Sequence, residues 1–362
     1  MKISTVKLQA MMNKVVKGVG NNKLIPITSL IGITAADNKL TIEATDSNNY
    51  LYVTSDLIDS EDFYACVRAD QFIKLISKIT SDFVSLTICD NFLQVKGNGT
   101  YNIELPLDEN GAMIVYTDPM ASDDTKAFLT KECTIQLSTI KSMLASLRSG
   151  LAVTSESPQI TNYYVSANRS ITTNRFKVNA LDYTASDIPE MLISSSMMDI
   201  LDTITSDVIT VKLYADDTIE FITDDVRVFG HVGDGIDKFP VDTLNLLIDK
   251  SYSNYCKISR LDLMQTLDRI ALFVGAYDNG AITITFDSDA MCITSKQTTG
   301  TEQIGYMEHT SDSNKYTICV DIEMLQSQIK SQESDVVTIY YGDDKAIKLT
   351  DGNLTFVLAL II

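Results

Sequence analysis

The adjacent carboxylates Asp216-Asp217, Asp224-Asp225 and Asp343-Asp344 are the residues that an acid–base enzyme would have to use here. Neighbours on a strand point to opposite faces, so such pairs rarely meet one substrate. Two of the three fall at equivalent places in an internal repeat, in turns that Asp favours. With only His231 and His309, a Ser-His-Asp triad has little support, and no nucleophile-elbow motif adds any. A zinc site is equally short of ligands. Six cysteines, at 66, 89, 133, 256, 292 and 319, form no C-x-x-C pair. Most sit in strand-like runs such as YACV and TICD, and read as reduced, buried, small hydrophobes. No P-loop motif occurs, and GVG at 18–20 and GDG at 233–235 read as turns. The expectation is a protein that is not an enzyme and holds no metal or cofactor.

What positions these residues is a repeat. SDFVSLTICDNFLQV begins at Ser81, SDVITVKLYADDTIEF at Ser206 and SDVVTIYYGDDKAIKL at Ser334. Asp82 and Asp207 are 125 residues apart, and Asp207 and Asp335 are 128 apart. A period that long means three copies of a domain, not a solenoid. Each string follows a helix-period segment: Phe72, Leu75, Ile76 and Ile79 in the first copy, Met198, Leu201 and Ile204 in the second, Ile322, Leu325 and Ile329 in the third. Ser194 to Ser196 and Asp321 are available as caps. A second helical segment stands earlier in each copy, marked by Leu8, Met11, Met12 and Val15, by Ile140, Met143, Leu144 and Leu147, and by Leu263, Met264, Leu267 and Ile270. Alternating strands lie between, with a turn at Asp37-Asn38. The reading is α+β: three tandem similar domains at 1–120, 121–249 and 250–362, each with two helices packed on antiparallel sheets.

The net charge is −19, from 29 basic and 48 acidic residues. As a whole-chain sum that argues against a nucleic-acid partner, but its distribution is uneven. Lys7, Lys14 and Lys17 lie on the first helix with no acid beside them; Arg68, Lys74 and Lys78 oppose a single Asp70 on the second; Lys141 and Arg148 mark the third. The remaining helices are neutral or acidic, and the six together sum to about +4, a pattern suited to loose phosphate contact. If two chains close head to tail, twelve helices at ~9 Å spacing make a circle ~34 Å across. Subtracting a helix thickness of ~10 Å leaves ~24 Å, enough to pass a duplex. The 45% apolar composition supports globular packing. The N-terminus shows no signal-peptide pattern, and no apolar run approaches the ~20 residues of a membrane span. A cytoplasmic protein without a membrane partner is expected.

These residues carry a resemblance. LIPITSLIGITAADNKLTIEATD (Leu24 to Asp46) and LMQTLDRIALFVGAYDNGAITITFDSDAMCITS resemble the bacterial DNA sliding clamp, the beta subunit of DNA polymerase III, and the chain length and period agree. The resemblance implies a DNA clamp fold and a homodimeric ring around duplex DNA, without catalytic activity. It also implies docking of DNA polymerase, clamp loader and other clamp-binding-motif proteins in a hydrophobic pocket. By that likeness Lys23, Tyr163 and Tyr164 join the DNA-contacting residues. The pocket would be built by Val165, Leu181, Tyr183, Pro240, Leu244, Phe356, Leu358, Ala359, Leu360 and Ile362. Closure would pair Tyr101 and Ile103 with Leu272 and Phe273 of the second copy.

The chain departs from the family pattern in three places. Tyr183, Thr184 and Ala185 stand where the family often has Gly-His-Arg. The tail reads LALII in place of Met-Pro-Met-Arg. The second copy looks short, with 25 residues from Asp182 to Asp207 against 36 from Asp46 to Asp82. These point to a divergent clamp, bacterial or phage-encoded. The alternative is a non-enzymatic, β-rich structural protein of repeated domains, of the virion type.

Overall fold

The computed structural model describes residues 1–59, 61–116, 118, 120, 127–184, 187–275, 279–297, 299–343 and 345–361. Ala185, Asp344, Ile362 and most of the expected first joint lie outside them. The chain opens with β1 (Lys2–Ser4), α1 (Thr5–Val15), β2 (Leu30–Ala36), β3 (Lys39–Thr45), β4 (Asn49–Asp56), β5 (Phe63–Arg68), α2 (Ala69–Ile76), β6 (Phe83–Cys89), β7 (Phe92–Lys96) and β8 (Thr100–Glu104). The same order returns in β9 (Leu129–Gln136), α3 (Leu137–Leu147), β10 (Asn162–Val165), β11 (Arg169–Thr173), β12 (Lys177–Asp182), β13 (Met191–Ser194), α4 (Ser195–Leu201), β14 (Val208–Tyr214), β15 (Thr218–Ile222) and β16 (Val226–His231). After an inserted α5 (Val241–Ile248), it returns once more with one added strand, β21 (Glu308–Thr310). The last round is β17 (Asn254–Ser259), α6 (Arg260–Ala271), β18 (Ala281–Asp287), β19 (Ala290–Ser295), β20 (Thr301–Gly305), β21 (Glu308–Thr310), β22 (Lys315–Asp321), α7 (Ile322–Lys330), β23 (Val336–Tyr341), β24 (Ala346–Asp351) and β25 (Leu354–Ala359).

All six helices read from sequence periodicity are present, and α5 is an addition to them. One more strand (β8, β16, β25) closes each round than the hairpin patterns suggest. The chain groups into two compact units, Met1–Ile140 with Ser195–Val232, and Lys141–Ser194 with Gly233–Ile362.

In the first unit the sheets are β1-β6-β7-β8 and β5-β2-β3-β4-β16-β15-β14-β9. Helix α1 forms because Leu8, Met11, Met12 and Val15 recur on one face, and all four are buried. The Thr5 hydroxyl ties its start to the Ser81 carbonyl at 2.5 Å. The β2–β3 hairpin turns through Asp37 (φ 52°) and Asn38 (φ 61°). Both centre residues are left-handed, as a two-residue turn matching strand twist requires.

In the second unit the sheets are β13-β10-β11-β12-β25-β24-β23-β17-β21 and β20-β19-β18-β22. Helices α6 and α7 pack together, and α5 lies on β12 and β25. Asp321 caps α7, its Oδ1 accepting from the Met324 amide at 2.8 Å, and Ser259 caps α6. Cys66 and Cys256 are buried, and burial pushes each thiol up to about 12. Cys89, expected inside, is exposed at the end of β6, and none of the six cysteines is in a disulfide.

The second copy is not short. In the first, the Thr45 hydroxyl donates to the Asn49 carbonyl, Asp46 Oδ1 accepts from the Asn48 and Asn49 amides, and Ser47 has φ 83°. In the second, the Thr173 hydroxyl donates to the Lys177 carbonyl, Asn174 Oδ1 accepts from the Phe176 and Lys177 amides, and Arg175 has φ 78°. Asn174, not Asp182, is therefore the counterpart of Asp46. Asn174 to Asp207 spans 33 residues against 36. Asp182 instead ends β12, one strand later.

Strand pairing repeats too. β4 pairs with β16 in the first unit and β12 pairs with β25 in the second. By position in the round, β20 is the counterpart of β4 and β12, and β8 is the counterpart of β16 and β25. Both β8 and β20 are edge strands of four-stranded sheets.

Candidate DNA-facing helices and partner pocket

In the first unit the cations expected to meet phosphate are mostly on the surface. Lys7, Lys17, Lys23, Arg68, Lys74 and Lys78 are exposed. Lys74 stands 3.8 Å from Asp70 one turn away, a pairing of solvated groups that leaves its charge available. Lys14 is different. Its side chain is buried, with Nζ 2.5 Å from Asp225 Oδ2 and 3.4 Å from the Thr205 hydroxyl. It ties α1 to the turn before β16, so it is corrected from a phosphate contact to a structural ion pair.

In the second unit Tyr163 and Tyr164 are 0% and 3% exposed. Neither presents a ring on which a base could stack, and both are corrected to core residues of β10. Tyr164 stacks on Phe239 at 5.1 Å, and burial with the neighbouring Glu190 raises its phenol to about 12. Burial likewise raises Tyr163, while the nearby Arg148 guanidinium draws it back down. Arg148 is exposed and Lys141 half-buried.

The expected pocket residues divide between two faces of one sheet. β12 pairs with β25 in the register Val178↔Val357 and Ala180↔Thr355. Alternation puts Val178, Ala180 and Val357 on one face. There they join Tyr164, Ile171, Leu192, Phe239, Leu244, Ile248 and Ala346 in an apolar cluster under α5. Leu181, Phe356 and Leu358 point the other way, to the face that carries Asn179. Gln328 Nε2 on α7 donates to Asn179 Oδ1 at 3.1 Å there. Leu181, Phe356 and Leu358, together with Val165, are buried and are corrected from pocket lining to core. Tyr183 is half-buried, its hydroxyl donating to the Ser166 carbonyl at 2.6 Å.

Leu244 and Pro240 stay on the α5 side, and Ala359 alternates to it; Ala359 and Leu360 are half-buried. Pro240 lines an open groove of about 540 Å³ with Glu190, Ile236, Asp237, Phe239, Val241, Asp242 and Thr243. The one-residue shift in the last strand, and the helix α5 itself, are what sequence reading missed.

At the expected closing surfaces, Tyr101 on β8 is 40% exposed, and Leu272 and Phe273 after α6 are 81% and 51% exposed. Ile103 is buried opposite Leu93 of β7 and is corrected to the core of its own sheet. Phe273 lies over Gly300, where an added Cβ would come within 3.0 Å of its ring.

The paired carboxylates do not converge. Asp216 Oδ1 accepts from the Thr218 amide at 3.1 Å in a turn, Asp225 is held by Lys14, and Asp343 pairs with Lys250. Among the described residues, no three His, Cys, Asp or Glu side chains are grouped to hold a metal ion. No described helix is long and apolar enough to cross a membrane.

Residues 1–114 match the family model for the N-terminal domain of the DNA polymerase III beta subunit. No curated protein matches the sequence. The fold of the whole chain is similar to three solved bacterial proteins. The DNA polymerase III subunit beta from Borrelia burgdorferi gives a TM-score of 0.85 at 15% identity, covering 100% of this chain and 98% of that one. The beta subunit from Thermotoga maritima gives 0.84 at 16%, and the sliding clamp from Bacillus subtilis 0.82 at 16%, each with the same coverage. At such identities the likeness establishes architecture alone: the chain as a whole has the fold of these bacterial sliding clamps, and its residues 1–114 are similar to the N-terminal domain of the DNA polymerase III beta subunit.

Proposed function

We propose that this chain is a DNA polymerase processivity factor: a non-enzymatic clamp that closes around duplex DNA and tethers polymerase and clamp loader in the bacterial or infected-host cytoplasm. Its domains are taken as 1–120, 121–249 and 250–362. One observation carries the reading. Each round of the fold joins the next through the same strand pairing, and the two strands left without that partner are β8 and β20. A second copy placed head to tail supplies each with its counterpart. Twelve helices, six from each chain, then line a passage for duplex DNA.

Phosphate contact falls to Lys7, Lys17, Lys23, Arg68, Lys74 and Lys78, with Arg148 and Lys141. These are sequence-independent contacts of the kind that hold DNA loosely. Partner motifs dock on the α5 side, at Pro240, Val241 and the apolar cluster beneath. A shell protein of repeated domains has no need of six exposed cations on a chain of charge −19, which favours the clamp. The test is loading onto primed circular DNA with a polymerase and loader. Longer products per binding event, and release of the protein when the circle is cut, are expected. Retention on cut DNA, or no gain in product length, contradicts it.

A further inference from the structure

Arg169 is a multiply hydrogen-bonded cation of the second unit. Its Nε and Nη2 hold Asp182 at 2.5 and 3.1 Å. Its Nη1 donates to Asn245 Oδ1 at 2.9 Å, and Nη1 and Nη2 reach Asp249 at 3.3 and 3.0 Å. The planar fork thus spans β11, the end of β12 and the last turn of α5, a geometry that a lysine point charge cannot copy. Only 20% of the Arg169 side chain is exposed.

Helix α5 needs such ties. It has eight residues and no side-chain N-cap, well under the ~12 residues at which an isolated helix becomes even marginal. Lys348 Nζ caps its other end, donating to the Ile248 and Lys250 carbonyls at 3.3 and 2.5 Å. The helix in turn supplies Val241, Asp242 and Thr243 to the 540 Å³ groove and Leu244 to the cluster beside it.

We propose that Arg169 is a positioning residue for partner docking, clamping α5 to the end of β12 so that the groove is formed before a peptide arrives. This rests on the docking reading above. A preformed wall spares the peptide the cost of ordering it, so loss of the clamp weakens binding without removing any residue that touches the peptide.

The test uses the full chain. Decapeptides are selected from a random display library on the wild-type protein and kept only if Pro240→Asp abolishes their binding. Affinity is then measured for Arg169→Ala, Arg169→Lys and Asp249→Asn, alongside hydrogen exchange of the α5 amides in the free protein. Arg169→Ala is expected to weaken binding about tenfold and to speed α5 exchange about tenfold, with the β12 and β25 amides unchanged. Arg169→Lys restores part of both. Asp249→Asn, which keeps the Asp182 pair, gives an intermediate effect. Unchanged affinity or unchanged α5 exchange in Arg169→Ala overturns the inference while the docking reading stands. Failure to select any Pro240-sensitive peptide overturns the docking reading and this inference with it.

Discussion

Replacing Glu43 by glutamine should make the protein more stable at alkaline pH and flatten its dependence on pH. Glu43 lies on β3, paired with Gly32 of β2 and Tyr52 of β4. Burial, then the charge of Asp118, raises its carboxyl to about 7, against a lowering hydrogen bond from Thr34. Arg227 neutralises Asp118 at 2.7 Å and Glu220 at 2.5 Å, leaving Glu43 without a cation of its own in these ion pairs. Between about 4.5 and 7 the folded chain binds more protons than the unfolded one, so stability falls as pH rises through that window.

Raising the carboxyl from 4.5 to about 7 corresponds to roughly 3.4 kcal/mol for a group fully shielded from solvent. Glu43 is only part-buried, and solvent screening cuts this to about 1.5 kcal/mol. Urea unfolding at pH 8.5 should find Glu43→Gln more stable than wild type by about that amount. The gap should shrink to a few tenths of a kcal/mol near pH 4.5. A gap independent of pH, or glutamine less stable at pH 8.5, would refute the assignment.

Three further outcomes follow from geometry. Asn179 is fully buried and donates to the Ser146 carbonyl and Ser149 hydroxyl at 2.9 and 2.8 Å; Asn179→Leu should cost about 2–3 kcal/mol in urea unfolding, the penalty for stranded buried partners. Phe273→Asp puts a charge on the surface expected to close against the second copy, and should give monomers by light scattering at low micromolar concentration. Changing Lys7, Lys74 and Lys78 to glutamine should reduce the salt slope of DNA binding by up to about 2.7, at ~0.9 for each phosphate no longer neutralised, and leave the urea midpoint within experimental error.

The helices and the threefold order were legible because each helical face is apolar at 3.6-residue spacing and ends where alternation begins. The pocket was less so. TFVLAL is apolar at Phe356, Val357 and Leu358, all buried on one face or the other, so no period-2 signal says which points toward α5. Tyr163 and Tyr164 are adjacent and both inside for the same reason. Helix α5 is short and follows Pro240; only the spacing of Val241, Leu244 and Ile248 marks it. Lys14 looked like its neighbours on α1 because its partner, Asp225, is 211 residues away. The Asp46 and Asp182 mismatch arose because Asx turns accept Asn as well as Asp, and the true counterpart is Asn174.

The pairing of β8 with β20 between two copies is tested most directly by native mass measurement of the full chain. At low micromolar concentration the expected species is a dimer, twice the chain mass of 40.0 kDa, reduced to one chain by Phe273→Asp. A wild-type protein that remains at the mass of one chain, or a dimer indifferent to that substitution, would contradict it.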